Sequence, residues 1–131
     1  MAQVKVTFRP NRAGVRAAGN SNAIYRELER RAEKAKSLAL ALYAPHEKTG
    51  EYGRGLKIVR TRIRGQAAAQ LIATAAHSAI LEHGSRPHVI ESHGDYPLRN
   101  AQTGQVFGRK VNHPGTPAYH FLRRALKAAG R

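Results

Sequence analysis

The chain has 131 residues, a formal net charge of +15 and no cysteine. This length suits one domain, residues 1–131, with a modest core, and the lack of cysteine excludes disulfides and thiolate metal sites. No apolar run approaches the ~18 residues that a membrane span needs, and the N-terminus lacks the apolar core of a secretory signal. We therefore expect synthesis and assembly in a cytoplasm, without a membrane partner.

The positive charge is concentrated in three stretches that contain no acidic residue, namely 1–25, 52–81 and 96–131. These stretches carry +4, +5 and +7, whereas the segments between them nearly cancel. A surplus of this size attracts a polyanion, of which nucleic acid is the commonest. The alternatives are acidic patches on protein partners and a surface that only water contacts.

The first predicted elements are a short strand and a long helix. Residues 4–8 alternate apolar and polar side chains, which predicts a half-buried strand within a basic N-terminal arm of residues 1–20. From residue 21 or 22, apolar side chains recur every three or four positions and predict a helix that ends near Tyr43, where Pro45 stops it. The apolar stripe consists of Ile24, Leu28, Ala32, Ala35, Ala39 and Leu42. Opposite charges predict the surface pairs Arg26–Glu29, Arg30–Glu33 and Glu27–Arg31.

Residues 45–55 are predicted to form a flexible loop, because they are rich in glycine and polar side chains. The glycines lack the Gly-Lys-Ser/Thr ending of a P-loop and do not follow a strand, so a nucleotide site is not indicated. Long polar loops often become ordered only on docking. This loop is therefore a candidate for contact with a partner.

Two strands, 56–64 and 66–74, are predicted to form a hairpin across Gly65. Alternation places three arginines on one face of the first strand, together with two aliphatic side chains, so that the strand must twist or contain a bulge. The arginines are Arg60, Arg62 and Arg64, and the aliphatic residues are Leu56 and Ile58.

A short helix over 75–82 and three short strands are predicted next. Gly84 suits the left-handed position that ends the helix. The strands cover 89–90, 98–100 and 105–107, and a turn at Thr103-Gly104 joins the last two into a hairpin.

A basic strand that begins at Arg109 and a turn at Pro114-Gly115 lead into the last predicted element, an amphipathic helix over 119–129. Pro117 is expected in the first turn of this helix. The predicted fold is α+β, with one long N-terminal helix and a C-terminal helix packed on a small, mainly antiparallel sheet with long loops.

No residue pattern is typical of catalysis or of metal binding. The histidines lack the His-Glu-x-x-His spacing of zinc proteases, and Ser78 and Ser85 lack a Gly-x-Ser-x-Gly elbow. Glu82, Glu91 and Asp95 are not spaced as paired catalytic acids. We therefore expect neither enzyme activity nor a cofactor. A small nuclease is the enzymatic alternative, and a stand-alone basic nucleic-acid-binding protein is another.

Two segments of the chain resemble a family of tailed-phage neck proteins. The first is Glu82-His83-Gly84-Ser85-Arg86-Pro87-His88-Val89-Ile90-Glu91, and the second runs from Arg109 through His113-Pro114-Gly115-Thr116 to Phe121-Leu122 and Leu126. In this order and at this distance they are similar to the family named for the tenth gene product of the Hong Kong 97 phage. The similarity extends over about the last four-fifths of the chain and includes the entry of the strand at Gly55-Leu56.

The resemblance implies a structural protein of the virion and no active site. Members of the family join the filled head to the tail as a homo-oligomeric ring, usually thought of as a hexamer, through which the genomic DNA passes. The implied partners are the connector or stopper proteins of the head and the terminator or tube proteins of the tail. The implied location is the head–tail junction, where the chain is a neck ring, a tail terminator or a tail-completion protein.

Residues for two kinds of contact follow from the charge pattern, from the predicted loop and turn, and from the segments that carry the resemblance. Contacts to DNA in the channel, or to acidic partner surfaces, are expected from Arg54, Lys57, Arg60, Arg62 and Arg64. Contacts between subunits or between rings are expected from Glu51, Tyr52, His83, Arg86, His88, His113, Pro114, Tyr119 and Phe121.

Overall fold

The computed structural model describes residues 7–130, and these form an α+β fold. The helices are α1 (Arg12–Gly19), α2 (Asn22–Tyr43), α3 (Glu51–Arg54), α4 (Ser78–His83) and α5 (Phe121–Ala129), with a 3-10 turn at Ala44–His46. The strands are β1 (Leu56–Ile63), β2 (Gln66–Ala73), β3 (His88–Glu91), β4 (Leu98–Arg99), β5 (Val106–Gly108) and β6 (Lys110–His113). They form three separate antiparallel pairs, β1–β2, β3–β6 and β4–β5, where the sequence predicted one small sheet.

The long helix α2 begins and ends where the apolar periodicity predicts. Only its C-terminal half enters the core, where Ala35, Ala39 and Tyr43 are buried, whereas Ile24 in its first turn is 41% exposed. The predicted stripe is therefore covered at one end of the helix only. Over its 22 residues α2 spans about 33 Å, so its two ends lie in different surroundings.

The predicted charge pairs on α2 are only partly present. Glu27 binds Arg31 as predicted, at 3.0 Å, and also binds Arg30 at 2.8 Å. Hydrogen bonds from these two guanidinium groups lower the pKa of Glu27 to about 2. Glu29 is bound by Arg60 of β1 instead of Arg26, which joins the helix to the hairpin.

Three aromatic rings from three helices form the centre of the core. The ring centroids of Tyr43 and Tyr52 are 4.5 Å apart, and Phe121 lies 5.7 Å from Tyr43 and 6.1 Å from Tyr52 with nearly edge-on geometry. Such pairs add to the burial of apolar surface. The small side chains of Ala39 and Ala125, both fully buried, let α2 and α5 approach closely around this cluster.

The prediction of a flexible loop over 45–55 is wrong for its second half. Residues 51–54 form α3, and Tyr52 is 1% exposed in the aromatic cluster. The glycines allow this packing, because a Cβ atom on Gly53 would lie 3.1 Å from Leu40 and one on Gly55 would lie 2.8 Å from the backbone of Ala75. Glycine content here reflects close packing.

The predicted β1–β2 hairpin is present, with Arg64 as well as Gly65 in its turn, and it contains no bulge. Its pairs run without interruption from Leu56↔Ala73 to Ile63↔Gln66. Arg64 and Gly65 both have positive φ, 53° and 78°, as a two-residue type I′ turn requires. One face of β1 therefore passes from the buried Leu56 at its base to exposed arginines near the turn.

The N-terminal arm differs from the prediction. Most of the strand expected over 4–8 lies outside the described residues, and Thr7 and Phe8 are not in a strand. The helix α1 was not predicted. Asn11 caps it by accepting a hydrogen bond from the Gly14 N–H at 2.9 Å. No residue of α1 is buried, so it lies on the surface of the fold.

Replacing Arg64 by asparagine is expected to stabilise the hairpin. A left-handed conformation costs most L-residues about 1–2 kcal/mol, and Asn-Gly is a preferred pair in this turn. We expect Arg64→Asn to raise the free energy of unfolding by on the order of 1 kcal/mol, measured as a higher Tm by circular dichroism. Arg62→Asn, a matched change in the extended strand, should not raise the Tm. An unchanged Tm for Arg64→Asn would contradict the assigned turn.

Replacing Tyr52 tests the core and its dependence on pH. Burial raises the pKa of Tyr52 to about 12, above the ordinary value of 10.0. Its contribution to stability is therefore complete below pH 10 and is lost as the pH rises towards 12. We expect Tyr52→Phe to reduce this alkaline loss, and Tyr52→Ala to cost about 3–5 kcal/mol at neutral pH.

The measurement is thermal unfolding at neutral pH and near pH 11, between the two pKa values. Tyr96→Phe is the control, because Tyr96 is 83% exposed and touches no part of the core. Equal alkaline loss in the wild type and in Tyr52→Phe would contradict the burial of this phenol.

Candidate functional site

The structure brings together the two segments that carry the sequence resemblance. Ser85 and Thr116 form an isolated bridge with N–H to oxygen distances of 2.9 and 3.2 Å, and β3 pairs with β6 directly beyond it. The two backbones approach so closely that a Cβ atom on Gly84 would lie 2.7 Å from the carbonyl oxygen of Thr116. A Cβ atom on Gly115 would collide with the carbonyl oxygen of Ser85. We call residues 82–91 and 109–122 together the paired unit.

Glu82 connects this unit to the C-terminal helix. Its carboxylate accepts hydrogen bonds from the backbone N–H groups of Leu122 and Arg123 at 3.0 and 3.1 Å. The residue before the helix, His120, has φ 53° and provides no side-chain cap. A carboxylate at this end of a helix is favourable because the free N–H groups and the helix dipole are positive there.

Two expectations for these helix ends need adjustment. Because α5 begins at Phe121, Pro117 lies before the helix and not in its first turn. Gly84 has the positive φ expected after α4, 75°, but its ψ of 179° is not that of a left-handed helix.

Seven of the predicted partner-contact residues lie on the paired unit, five of them outside the aromatic cluster and two, Tyr119 and Phe121, within it. His83, Arg86, His88 and Pro114 are exposed, and His113 is half-buried. His88 and His113 are directly opposite each other on β3 and β6, with ring centroids 4.9 Å apart. The Nδ1 atom of His88 donates to the carbonyl oxygen of Arg86 at 2.9 Å. The Nδ1 atom of His113 accepts from the Gly115 N–H at 3.0 Å, which holds the turn.

Two other predicted contact residues, Tyr52 and Phe121, are wrong as partner contacts. Each is 1% exposed, because each provides a ring of the central aromatic cluster. Tyr119 is half-buried and stacks on Phe121 at 5.2 Å, so it forms the edge of the same cluster. Glu51 is exposed, with a carboxylate oxygen 4.0 Å from Nδ1 of His77.

That Arg60 contacts DNA stays a prediction, and three of its five N–H donors are engaged within the chain. Its Nε and Nη2 atoms bind Glu29 at 2.6 and 3.0 Å, and Nη1 binds Asn22 at 2.9 Å. The guanidinium group also lies 5.3 Å from the ring centroid of Tyr25. The hydrogen bond from Arg60 lowers the pKa of Glu29. We call Arg60, Glu29, Asn22 and Tyr25 the arginine clamp.

The remaining predicted basic residues do not share one surface. Arg54 lies at the base of the hairpin and donates to the carbonyl oxygen of Thr49 at 3.1 Å. Lys57 lies on the opposite face of β1 from Arg60, since side chains alternate along a strand. Arg62 and Arg64 lie at the far end, about 20 and 26 Å from the base of the strand.

Ion pairs neutralise only some of the cations. The pairs are Arg30 and Arg31 with Glu27, Arg60 with Glu29, Arg109 with Asp95, and Lys110 with Glu91. Within residues 7–130, the guanidinium groups of Arg12, Arg16, Arg62 and Arg64 take part in no ion pair or hydrogen bond. The two arginines of α1 were not among the predicted site residues. The possible signal for them was Asn11, a helix-capping residue type ahead of a basic segment.

Comparisons with known proteins and the arrangement of the described side chains assign no family, metal site or membrane span to the chain. No family model, no curated protein and no solved structure matches the chain. Within residues 7–130, no three histidine or acidic side chains are grouped so that they could hold a metal ion. In the same part of the chain, no helix is both long enough and apolar enough to span a membrane.

Removing the arginine clamp is expected to destabilise the fold. The lowered pKa of Glu29 means that its contribution is present above the ordinary carboxyl pKa of 4.5 and is lost as the pH falls through the lowered value. We expect Arg60→Gln to lower the Tm at neutral pH and to make unfolding less sensitive to acid. Arg62→Gln removes the same charge from a residue without such partners, and it should change neither the Tm at neutral pH nor the sensitivity of unfolding to acid. Equal Tm values for the two variants would contradict the clamp.

Proposed function

We propose that the chain is a structural protein of a tailed-phage neck, which forms a ring between head and tail around the path of the DNA. The exposed surface is the observation that carries this proposal. The chain exposes 10551 Å², whereas a compact monomer of 14.4 kDa exposes about 6,800 Å². The excess is of the size that obligate protein interfaces bury, so the chain is suited to a subunit of an assembly.

The apolar part of the exposed surface supports contacts with neighbouring subunits. Val59 and Ile63 of β1 and Ile72 of β2 lie on the side of the hairpin that faces away from α2, and they are between 38% and 51% exposed. A cleft between β2 and α5 is lined by Leu122 and by Leu126, which is 70% exposed. Soluble monomers rarely leave several large apolar side chains uncovered in this way.

The paired unit supports the choice of this family. Its two segments come together through the Ser85–Thr116 bridge, the β3–β6 ladder and the Glu82 cap. Glycine is required at 84 and 115 by the close backbone approach. The residues on which the resemblance rests thus have a common structural reason for their order and spacing. The exposed histidines and Arg86 of this unit are proposed to contact adjacent rings.

The basic surface supports an interaction with DNA that does not depend on sequence. Cations that are free of ion pairs, such as Arg12, Arg16, Arg62 and Arg64, are available to phosphate groups. A channel protein must let a duplex pass without holding one sequence. Contacts of this kind meet that requirement, because they read charge alone.

The proposal is tested by locating the chain in virions produced from the genome that encodes it. Antibodies against the full chain are expected to label the head–tail junction in electron micrographs. Native mass spectrometry of the purified chain, alone and with isolated tails, is expected to show a ring of identical subunits, with six as the expected number.

Two outcomes would contradict the neck proposal. Virions without label, together with a monomer that binds duplex DNA tightly, would favour a stand-alone nucleic-acid-binding protein. Cleavage of DNA that depends on a divalent metal would favour a nuclease. An antibody against a tail-tube protein is the matched control, since it must label the tail and leave the junction unlabelled.

A further inference from the structure

We propose that a groove between α1 and the turn of the β1–β2 hairpin binds the phosphate backbone of duplex nucleic acid. The groove has a volume of about 870 Å³, and Arg12 and Arg16 of α1 line one side of it while Arg64 and Gly65 of the turn line the other. We call it the arginine groove. In the proposed neck ring it is the surface that meets the DNA, so its biological setting rests on that function.

The two sides of the arginine groove are held together by one side chain. The Nδ2 group of Asn20, which follows α1, donates to the carbonyl oxygen of Gly65 at 3.1 Å and to that of Arg16 at 3.0 Å. Asn20 thus fixes the end of α1 against the hairpin turn. The arginines on both sides keep a defined separation, although α1 contributes no residue to the core.

The groove is positive and its charge is not compensated within the described chain. Arg12 and Arg16 are four residues apart, so they project from the same side of α1 and lie within about 6 Å of each other. No acidic residue lines the groove. The acids in the first half of α2, Glu27 and Glu29, are already bound by arginines of that helix and of β1.

The chemistry of the lining favours a phosphodiester backbone over an acidic protein. A guanidinium group offers two parallel N–H donors to the oxygens of one phosphate, and three such groups converge here. Protein partners are usually anchored by large apolar or aromatic side chains, and among residues 7–130 the only large aliphatic residue of the lining is Val15. None of the described residues that line the groove has an aromatic ring on which a base could stack, so the groove is suited to phosphates alone.

The backbone at Arg64 provides an independent argument. Arg64 is one of two non-glycine residues with positive φ in the described chain. A type I′ turn prefers asparagine or glycine at this position, so arginine is kept there at a cost in stability. Residues held in such conformations cluster where function requires the side chain. Arg64 lines the same groove as Arg12 and Arg16 of α1.

The test is the binding of a short fluorescent duplex of mixed sequence to the full chain, measured by anisotropy over a range of salt concentrations. Each lost phosphate contact lowers the slope of log K against log salt by about 0.9 for duplex DNA. We expect the triple variant Arg12→Gln, Arg16→Gln and Arg64→Asn to lower the slope by about 2 to 3 and the affinity by on the order of 10-fold or more.

Two controls separate binding from folding and from total charge. Arg64→Asn alone should raise the Tm and still lower the slope by about 1, so that weaker binding cannot be ascribed to unfolding. The triple variant Arg99→Gln, Arg124→Gln and Lys127→Gln removes three exposed cations outside the groove. It should leave the slope close to that of the wild type.

Equal slopes for the groove variant and the wild type would overturn the proposal and favour an acidic protein as the partner. Equal losses in both triple variants would also overturn it, because only net charge would then matter. These results are distinct from a failure of the neck function. If the antibody labels the head–tail junction but the groove variant keeps the wild-type salt slope, the groove proposal fails and the neck proposal stands. If only the groove variant loses slope and the antibody does not label the junction, the groove proposal stands and the neck proposal fails.

Discussion

The fold depends on the contact among Tyr43, Tyr52 and Phe121. The two tyrosines come from the end of α2 and from α3, which are close in the chain, whereas Phe121 at the start of α5 is distant from both. The other fully buried side chains, Ala39 and Ala125, lie where the helices approach around them. With a core this small, loss of one ring removes a large share of the apolar burial. The rest of the chain is arranged around this end of α2.

The opposite end of α2 is held by polar contacts. There the arginine clamp joins β1 to the helix, the Tyr25 hydroxyl donates to the carbonyl oxygen of Thr61 at 3.2 Å, and Asn20 bridges α1 to the hairpin turn. An apolar core cannot surround several arginines, because burying an unpaired charge is costly. The division of α2 into an apolar end and a polar end is therefore what allows free cations to be displayed on a stable scaffold.

The sequence predicted the elements better than it predicted their partners. Periodicity reports which side chains share a face, so it located α2, the β1–β2 hairpin and its turn. It does not report what covers a face. The binding of Glu29 by Arg60, the capping of α5 by Glu82 and the burial of Tyr52 join residues distant in sequence, and no local pattern encodes them. The glycines around Tyr52 are typical of a mobile loop in the sequence, whereas in the fold they permit close packing. For the same reason the predicted basic residues do not form one surface. Arg60 is bound within the arginine clamp, and α1, in a segment without apolar periodicity, supplies other arginines.

The β3–β6 ladder has a consequence for how the chain can vary. Beyond the ladder, the N–H of Ser92 donates to the carbonyl oxygen of Arg109 at 2.9 Å, so the segment between these residues leaves and re-enters the fold at one point. It contains the β4–β5 hairpin and none of the buried core residues. Because its ends are already closed, lengthening it adds only a small further loss of chain entropy. The segment between Ser92 and Arg109 can therefore be replaced by one of another length or shape, which would change what the chain recognises while the rest of the fold stays the same.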